Sequence, residues 1–185
     1  AGVRWRFGGG RRRRQRAPGR GCVHRPVACG RLRRRNAQFP AGAVDNYLAE
    51  GWQIASNITI GAFRAPRSNF NAAAEQSFLD EVAEAMGKDP IDFRLELLKK
   101  AKEAPVGKNN DYDADRYAGV LKLLKDKSGW NKPENKKYSR GVAAYFCHNS
   151  YAAHVVDVVK RDGQPYVERV FSAVDCGIVV NPDAA

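Results

Sequence analysis

A boundary near position 40 limits what this chain can fold into. Residues 1–40 hold 13 arginines, no lysine and no Asp or Glu. Residues 41–185 hold 19 basic and 20 acidic residues, so the formal net charge of +12 belongs entirely to the first fifth. A stretch of Arg, Gly, Pro, Cys and His without apolar periodicity cannot offset the entropy lost on ordering, so residues 1–36 read as a disordered, low-complexity arm. The foldable body is then residues 37–185. About 150 residues can bury roughly two-thirds of their unfolded surface, enough for one core. Basicity therefore says nothing about partners of the body, and nucleic-acid binding stays open only for the arm.

Within the body the patterns alternate between strand and helix. Residues 52–63 are β-branched and partly alternating, and read as a strand ending near Gly61. Pro66 disfavours helical geometry at Ala65, and Ser68 or Asn69 can cap the next element. A helix is expected over 70–86, with Phe70, Ala74, Phe78, Val82 and Ala85/Met86 as its buried stripe and Gly87 closing it. Glu75, Glu81 and Glu84 fall off that stripe. Asp89-Pro90 opens a second helix, Asp89 as N-cap and Pro90 at the first helical position, with Phe93, Leu97, Leu98 and Ala101 inward. A third is expected over 114–128, with Tyr117, Val120, Leu121 and Leu124 inward. Strands follow over 141–160, broken near His148–Ser150, and over 165–174, with Asp162-Gly163 as a hairpin turn between them. The order β-α-α-α-β-β gives an α+β class. No apolar run reaches the ~20 residues of a membrane span.

Few residues announce chemistry by themselves. Gly61-Ala-Phe-Arg-Ala-Pro66 joins strand to helix, where backbone N–H groups can meet an anion or cofactor, and Arg64 and Arg67 suit oxyanions. Asp80, Glu81 and Glu84 are expected on a solvated helix face. His148 and His154 are expected as hydrogen-bonded structural histidines. Cys147 and Cys176 are expected as buried small hydrophobes, and all four cysteines as reduced thiols. Cys22-x-His24 with Cys29 lacks a fourth ligand at zinc spacing. No metal site and no catalytic residue is assigned.

The order of motifs carries more than any one of them. Gly61-Ala-Phe-Arg-Ala-Pro66, Asn69-Phe-Asn71, Glu75-Gln-Ser-Phe-Leu-Asp-Glu-Val-Ala83 and Gly87-Lys-Asp-Pro-Ile-Asp-Phe-Arg-Leu-Glu-Leu-Leu98 come first. Arg140-Gly-Val-Ala143, Ser150-Tyr-Ala-Ala153 and Ala173-Val-Asp-Cys-Gly-Ile-Val-Val-Asn-Pro-Asp183 follow. Over about residues 38–185 this series resembles the molybdopterin-binding large (beta) subunit of the xanthine dehydrogenase/aldehyde oxidase superfamily. The isoquinoline 1-oxidoreductase β-subunit type, often labelled a membrane-bound aldehyde dehydrogenase, is the most similar, because Arg140-Gly-Val-Ala143 runs directly into Ser150-Tyr-Ala-Ala153.

The resemblance implies a partial molybdopterin-binding domain of a bacterial oxidoreductase. The full enzyme would hydroxylate an electrophilic carbon of an N-heterocycle or aldehyde, with water as the oxygen source. A molybdopterin-type molybdenum cofactor would sit in the full-length enzyme, and iron–sulfur clusters only in a partner small subunit, with a cytochrome as a candidate acceptor. Phe63, Arg64 and Ala65 match the segment lining the cofactor pocket. Asp175-Cys-Gly177 matches a structural turn. The family's general-base glutamate lies in a Gly-x-Gly-Glu motif after the Asn-Pro, beyond Ala185, and its Gly-Gln-Gly loop is missing, so the chain alone is expected to be inactive. Localisation by resemblance is periplasmic or inner-membrane-associated, with the cytoplasm as the alternative.

The arm departs from that family. Phe7-Gly-Gly-Gly10 followed by Arg11–Arg14 is reminiscent of its Gly-Gly-Gly-Phe-Gly-Arg-Arg motif but lacks the inner Phe-Gly. All-arginine basicity without acids fits an out-of-frame translation of a GC-rich gene up to about Arg35. A nucleic-acid-binding arm and a non-catalytic α+β adaptor domain are the two competing classes.

Overall fold

In the computed structural model the described residues are 38–51, 64–65, 68–107, 110–132, 135 and 137–184, together with the backbone of two short strands at 3–5 and 32–33. The expected strand over 52–63 lies outside them. Just upstream, β3 (Tyr47–Gly51) pairs in parallel with β1 (Val3–Trp5) and antiparallel with β2 (Leu32–Arg33). Two pieces of the arm expected to lack structure thus join a small sheet through backbone hydrogen bonds, which need no apolar side chain.

Three helices follow. The first, α1 (Ser68–Ala85), ends as its glycine foretells. Gly87 sits at φ 65°, its N–H donates to the Glu84 carbonyl at 2.9 Å, and the Lys88 N–H donates to Ala83 at 2.9 Å. This is the double bond of a Schellman ending. Its buried face, however, is Gln76, Leu79 and Ala83, and Phe70 and Met86 are 62% and 54% exposed. Helix geometry explains the correction. At 100° per residue, four successive i+4 steps from Phe70 to Met86 rotate by about 160°, so that series winds off any one face. Positions 76, 79 and 83 stay within about 60° of each other.

The second helix, α2 (Pro90–Glu103), has the cap its sequence predicts: Asp89 Oδ1 accepts from the backbone N–H of Ile91 at 2.9 Å and of Asp92 at 3.0 Å. The third, α3 (Ala114–Lys127), is capped by Asp113 in the same way and buries Tyr117, Val120, Leu121 and Leu124.

The second sheet is an antiparallel meander of β4 (Ser139–Cys147), β5 (Ser150–Arg161) and β6 (Gln164–Asp175). The break near His148 therefore separates two strands. His148 and Asn149 form a two-residue turn at φ 51° and 58°, and Asp162-Gly163 forms the next at φ 50° and 80°. Positive φ at both central residues matches the right-handed twist of the flanking strands. The α+β class holds, with three strands after the helices in place of the expected two. Val142, Ala144, Tyr151, Ala153, Val155 and Ala173 turn one sheet face to the helices and are buried. There α3 crosses β5 and β6, α1 lies against β4, and α2 covers α1 and α3. Residues 39–43 fold into the same core, where the Phe39 ring meets Tyr112 and Tyr117 edge-on at 5.8 and 5.3 Å.

Two buried ionic clusters tie these layers. On α2, Arg94 is 1% exposed. It donates to the side-chain and backbone oxygens of Gln76 at 3.0 Å each and to Pro90 O at 2.9 Å, and it lies 2.7 Å from Asp80. Gln76 Oε1 also accepts the Ala144 N–H at 3.1 Å, so one amide joins α1, α2 and β4. On β5, fully buried Asp157 accepts from Arg140 of β4 at 2.5 Å and Arg169 of β6 at 2.8 Å. Arg140 also donates to the carbonyls of Ser128, Gly129 and Trp130, fixing the segment after α3 to the sheet.

Candidate functional site

The seam between α1 and β4 gathers the groups that could do chemistry. It begins at the junction leading into α1. Phe63 lies outside the described residues. Arg64 and Ala65 are both exposed. Ala65 adopts φ 58°, a left-handed conformation costing an alanine about 1–2 kcal/mol, of the kind that tends to be held where function requires it. Arg64 has no hydrogen bond or ion pair among the described residues. The first turn of α1 contains no acidic side chain, so nothing there neutralises the positive helix end. The exposed guanidinium and a helix start without acids both favour an anionic group.

At the helix start, Ser68 Oγ lies 2.9 Å from Cys147 Sγ, and the same sulfur lies 2.8 Å from His148 Nδ1. The β4–β5 turn places this thiol against α1. His154, further along β5, reaches Ser172 Oγ of β6 at 2.8 Å. Both histidines are thus hydrogen-bonded, as expected of structural ones. Cys147 is only half-buried and Cys176 is exposed, which corrects the expectation of buried thiols; both are free. Cys176 follows the last residue of β6 and points into solvent.

Two turns along α1, Glu75 borders a shallow open cleft with room for about one water molecule, lined also by Gln38, Phe39, Gln76, Tyr117, Tyr145 and Phe146. Burial among these rings pushes the Glu75 carboxyl up to about 7. Burial, with the Glu75 charge second, pushes the Tyr145 hydroxyl up to about 12. Tyr47 is raised for the same two reasons. Tyr117 is raised further, chiefly by burial, and donates to the Ala144 carbonyl at 2.5 Å. The apolar pattern puts Glu75 off the buried stripe, and the structure places it half-buried beside Gln76. The available signal is its neighbour: if Gln76 faces inward, Glu75 lies 100° away, at the border of the buried face.

Among the carboxylates expected in water, Glu81 and Glu84 are exposed, but Asp80 faces Arg94. The Asp175-Cys-Gly177 turn is held by Arg116 of α3, which donates to both Asp175 oxygens at 2.9 and 2.7 Å and stacks over Tyr151 at 4.7 Å. The Arg116 hydrogen bond, and then the Gly177 N–H, bring the Asp175 carboxyl down to about 2. Its geometry is that of an anchor for the turn after β6. Among the described residues, no group of three or more His, Cys, Asp and Glu side chains is placed to hold a metal ion. No described helix is long and apolar enough to cross a membrane. Cys22, His24 and Cys29 lie outside the described residues.

Comparison with known proteins finds three curated oxidoreductases similar to this chain. Over 164 residues it is 29% identical to a membrane-bound aldehyde dehydrogenase [pyrroloquinoline-quinone] of Gluconacetobacter polyoxogenes, covering 80% of this chain and 19% of that protein. Over 116 residues it is 29% identical to the beta subunit of an isoquinoline 1-oxidoreductase of Brevundimonas diminuta, covering 60% and 13%. Over 133 residues it is 28% identical to a nicotinate dehydrogenase subunit of Pseudomonas putida, covering 61% and 10%. The chain thus spans a fifth or less of the length of these relatives. No family model and no solved structure matches it. The three relatives support the resemblance read from the motifs, to a molybdopterin-dependent oxidoreductase subunit of β type, over part of that subunit's length.

Proposed function

We propose that this chain is part of the large subunit of a molybdenum-dependent oxidoreductase that hydroxylates N-heterocycles or oxidises aldehydes. The observation that carries the reading is the similarity to three curated oxidoreductases, two of which take their names from the heterocycles isoquinoline and nicotinate. In this reading water supplies the oxygen and the electrons pass to an iron–sulfur partner subunit.

The residues present suit an anionic pterin cofactor. Arg64 offers a guanidinium without a partner among the described residues, the strained backbone at Ala65 turns the chain toward the α1 start, and no acid in the first turn of α1 opposes a phosphate. Phe63, Arg64 and Ala65 would line the cofactor. When bound, that group supplies the redox chemistry. The chain's own part is to bind and orient. α1 carries the anion-binding end, and Gln76 and Arg94 fix α1 on α2 and β4 so that this end does not drift. No catalytic residue is assigned to the chain. Its partners in this reading are the small-molecule substrate and the iron–sulfur subunit, and its location is at or outside the inner membrane.

The test is production of the longer subunit containing residues 1–185 with its small subunit, followed by metal analysis and dye reduction with isoquinoline, nicotinate and an aldehyde in ¹⁸O-labelled water. Bound molybdenum and ¹⁸O in the product are expected, together with loss of molybdenum on Arg64→Ala. A folded complex without molybdenum and without turnover overturns the proposal.

A further inference from the structure

The outer face of the β4–β5–β6 sheet, opposite the face that α3 covers, is mostly apolar from Ala152 to Val158 and carries no charge there: its polar side chains are Ser139, Tyr145, His154 and Ser172. Successive strand residues point to opposite faces, so with Val155 and Asp157 inward, Val156 and Val158 point outward. Their partners on β6 are Val170 and Val167, across a bulge at Asp157/Val158, and Ala152 faces Val174. Between Ala152 and Val158 and their partners on both neighbouring strands, this face carries no Asp, Glu, Lys or Arg. The one imidazole on it, His154, is occupied by Ser172. Val167, Val170 and Val174 are 63%, 54% and 61% exposed. An antiparallel sheet with one wet face alternates apolar inward and polar outward, whereas strands apolar on both faces are covered on both.

We infer that this face is buried in the complete protein beneath a further part of the same subunit's polypeptide. The inference rests on the functional reading above, because the relatives named there extend far beyond the stretch they share with this chain: that stretch is 19%, 13% and 10% of their respective lengths. A second copy of the chain fits less well. Strand spacing and rise give a patch of about 340 Å², against roughly 800 Å² per partner in a stable interface. A separate chain must also offset lost rigid-body freedom, whereas a tethered segment pays only a slowly growing loop-closure term. An uncharged face has no ion pairs with which to select a charged partner. The cover is therefore an apolar helix stripe or a β-branched sheet face.

The experiment introduces Val170→Cys into the 185-residue chain and into the longer gene product that runs on through Ala185. Maleimide labelling at that position is followed by peptide-resolved mass spectrometry and scaled to the rate in urea. Fast labelling in the 185-residue chain, and labelling at least 100-fold slower in the longer product, are expected. Val174→Cys is the second variant should the first not fold. Equal rates in the two proteins overturn the inference. So does protection in the 185-residue chain accompanied by a dimer mass in light scattering, which would assign the face to a second copy. A reading frame that closes directly after Ala185 overturns it as well. Molybdenum is measured on the same samples: metal without protection sinks the buried face alone, and protection without metal sinks the functional reading alone.

Discussion

Glu75 is the residue whose behaviour sequence periodicity hides most completely. Burial keeps its carboxyl protonated up to about pH 7 in the folded chain. The unfolded chain gives up that proton near the ordinary glutamate value of about 4.3. Between those pH values the native state holds more protons, so stability falls as pH rises through the window and levels off above pH 7. Because the side chain is still partly in water, the loss is on the order of 1–2 kcal/mol, well below the full linkage value. Glu75→Gln removes it. Urea midpoints at pH 5 and pH 8 should therefore differ less in the variant than in the parent, and an unchanged difference would refute the assignment. The polar side chains Gln76 and Arg94 are equally illegible, because a binary apolar pattern has no symbol for an amide or guanidinium that is buried and satisfied.

At the scale of elements, local chemistry is easier to read than orientation. Asp89-Pro90 and Gly87 announce helix ends because capping uses only neighbouring atoms, and both ends fall where the sequence puts them. Gly87→Ala should cost about 1 kcal/mol, since open space surrounds the added methyl and only the positive φ opposes it. A chemical melt measures this, and a neutral result would mean that the Schellman ending rearranges freely. The face of α1 is easily misread because an i+4 series looks like a stripe on paper and spirals in space. The β4–β5 hairpin is only half legible because its turn uses His148 and Asn149, without the glycine that usually marks positive φ. At the candidate site, the assignment of Arg64 and Ala65 comes from a motif alone. The contact of Ser68 with Cys147 instead joins residues 79 positions apart and depends on tertiary packing, and His148 enters the site only through that sulfur.

Across the whole molecule, charge and fold are distributed independently. Thirteen arginines precede position 40, while the layers that build the core carry nearly balanced charge. The full chain should associate with heparin or RNA at 50 mM salt and lose about 10³–10⁵-fold in affinity by 200 mM if 6–10 phosphates are engaged. A variant lacking residues 1–36 should not bind at either salt, and retained binding would move the polyanion site onto the body. The buried Arg140–Asp157–Arg169 cluster also bears on how the whole chain reaches its fold. A slip of β5 by one residue would send Asp157 into the uncharged outer face and set Val156 against two guanidinium groups, leaving three charges unpaired at once. Misaligned hairpins would thus be destabilised before the helices close over them, which makes the cluster an error check on assembly.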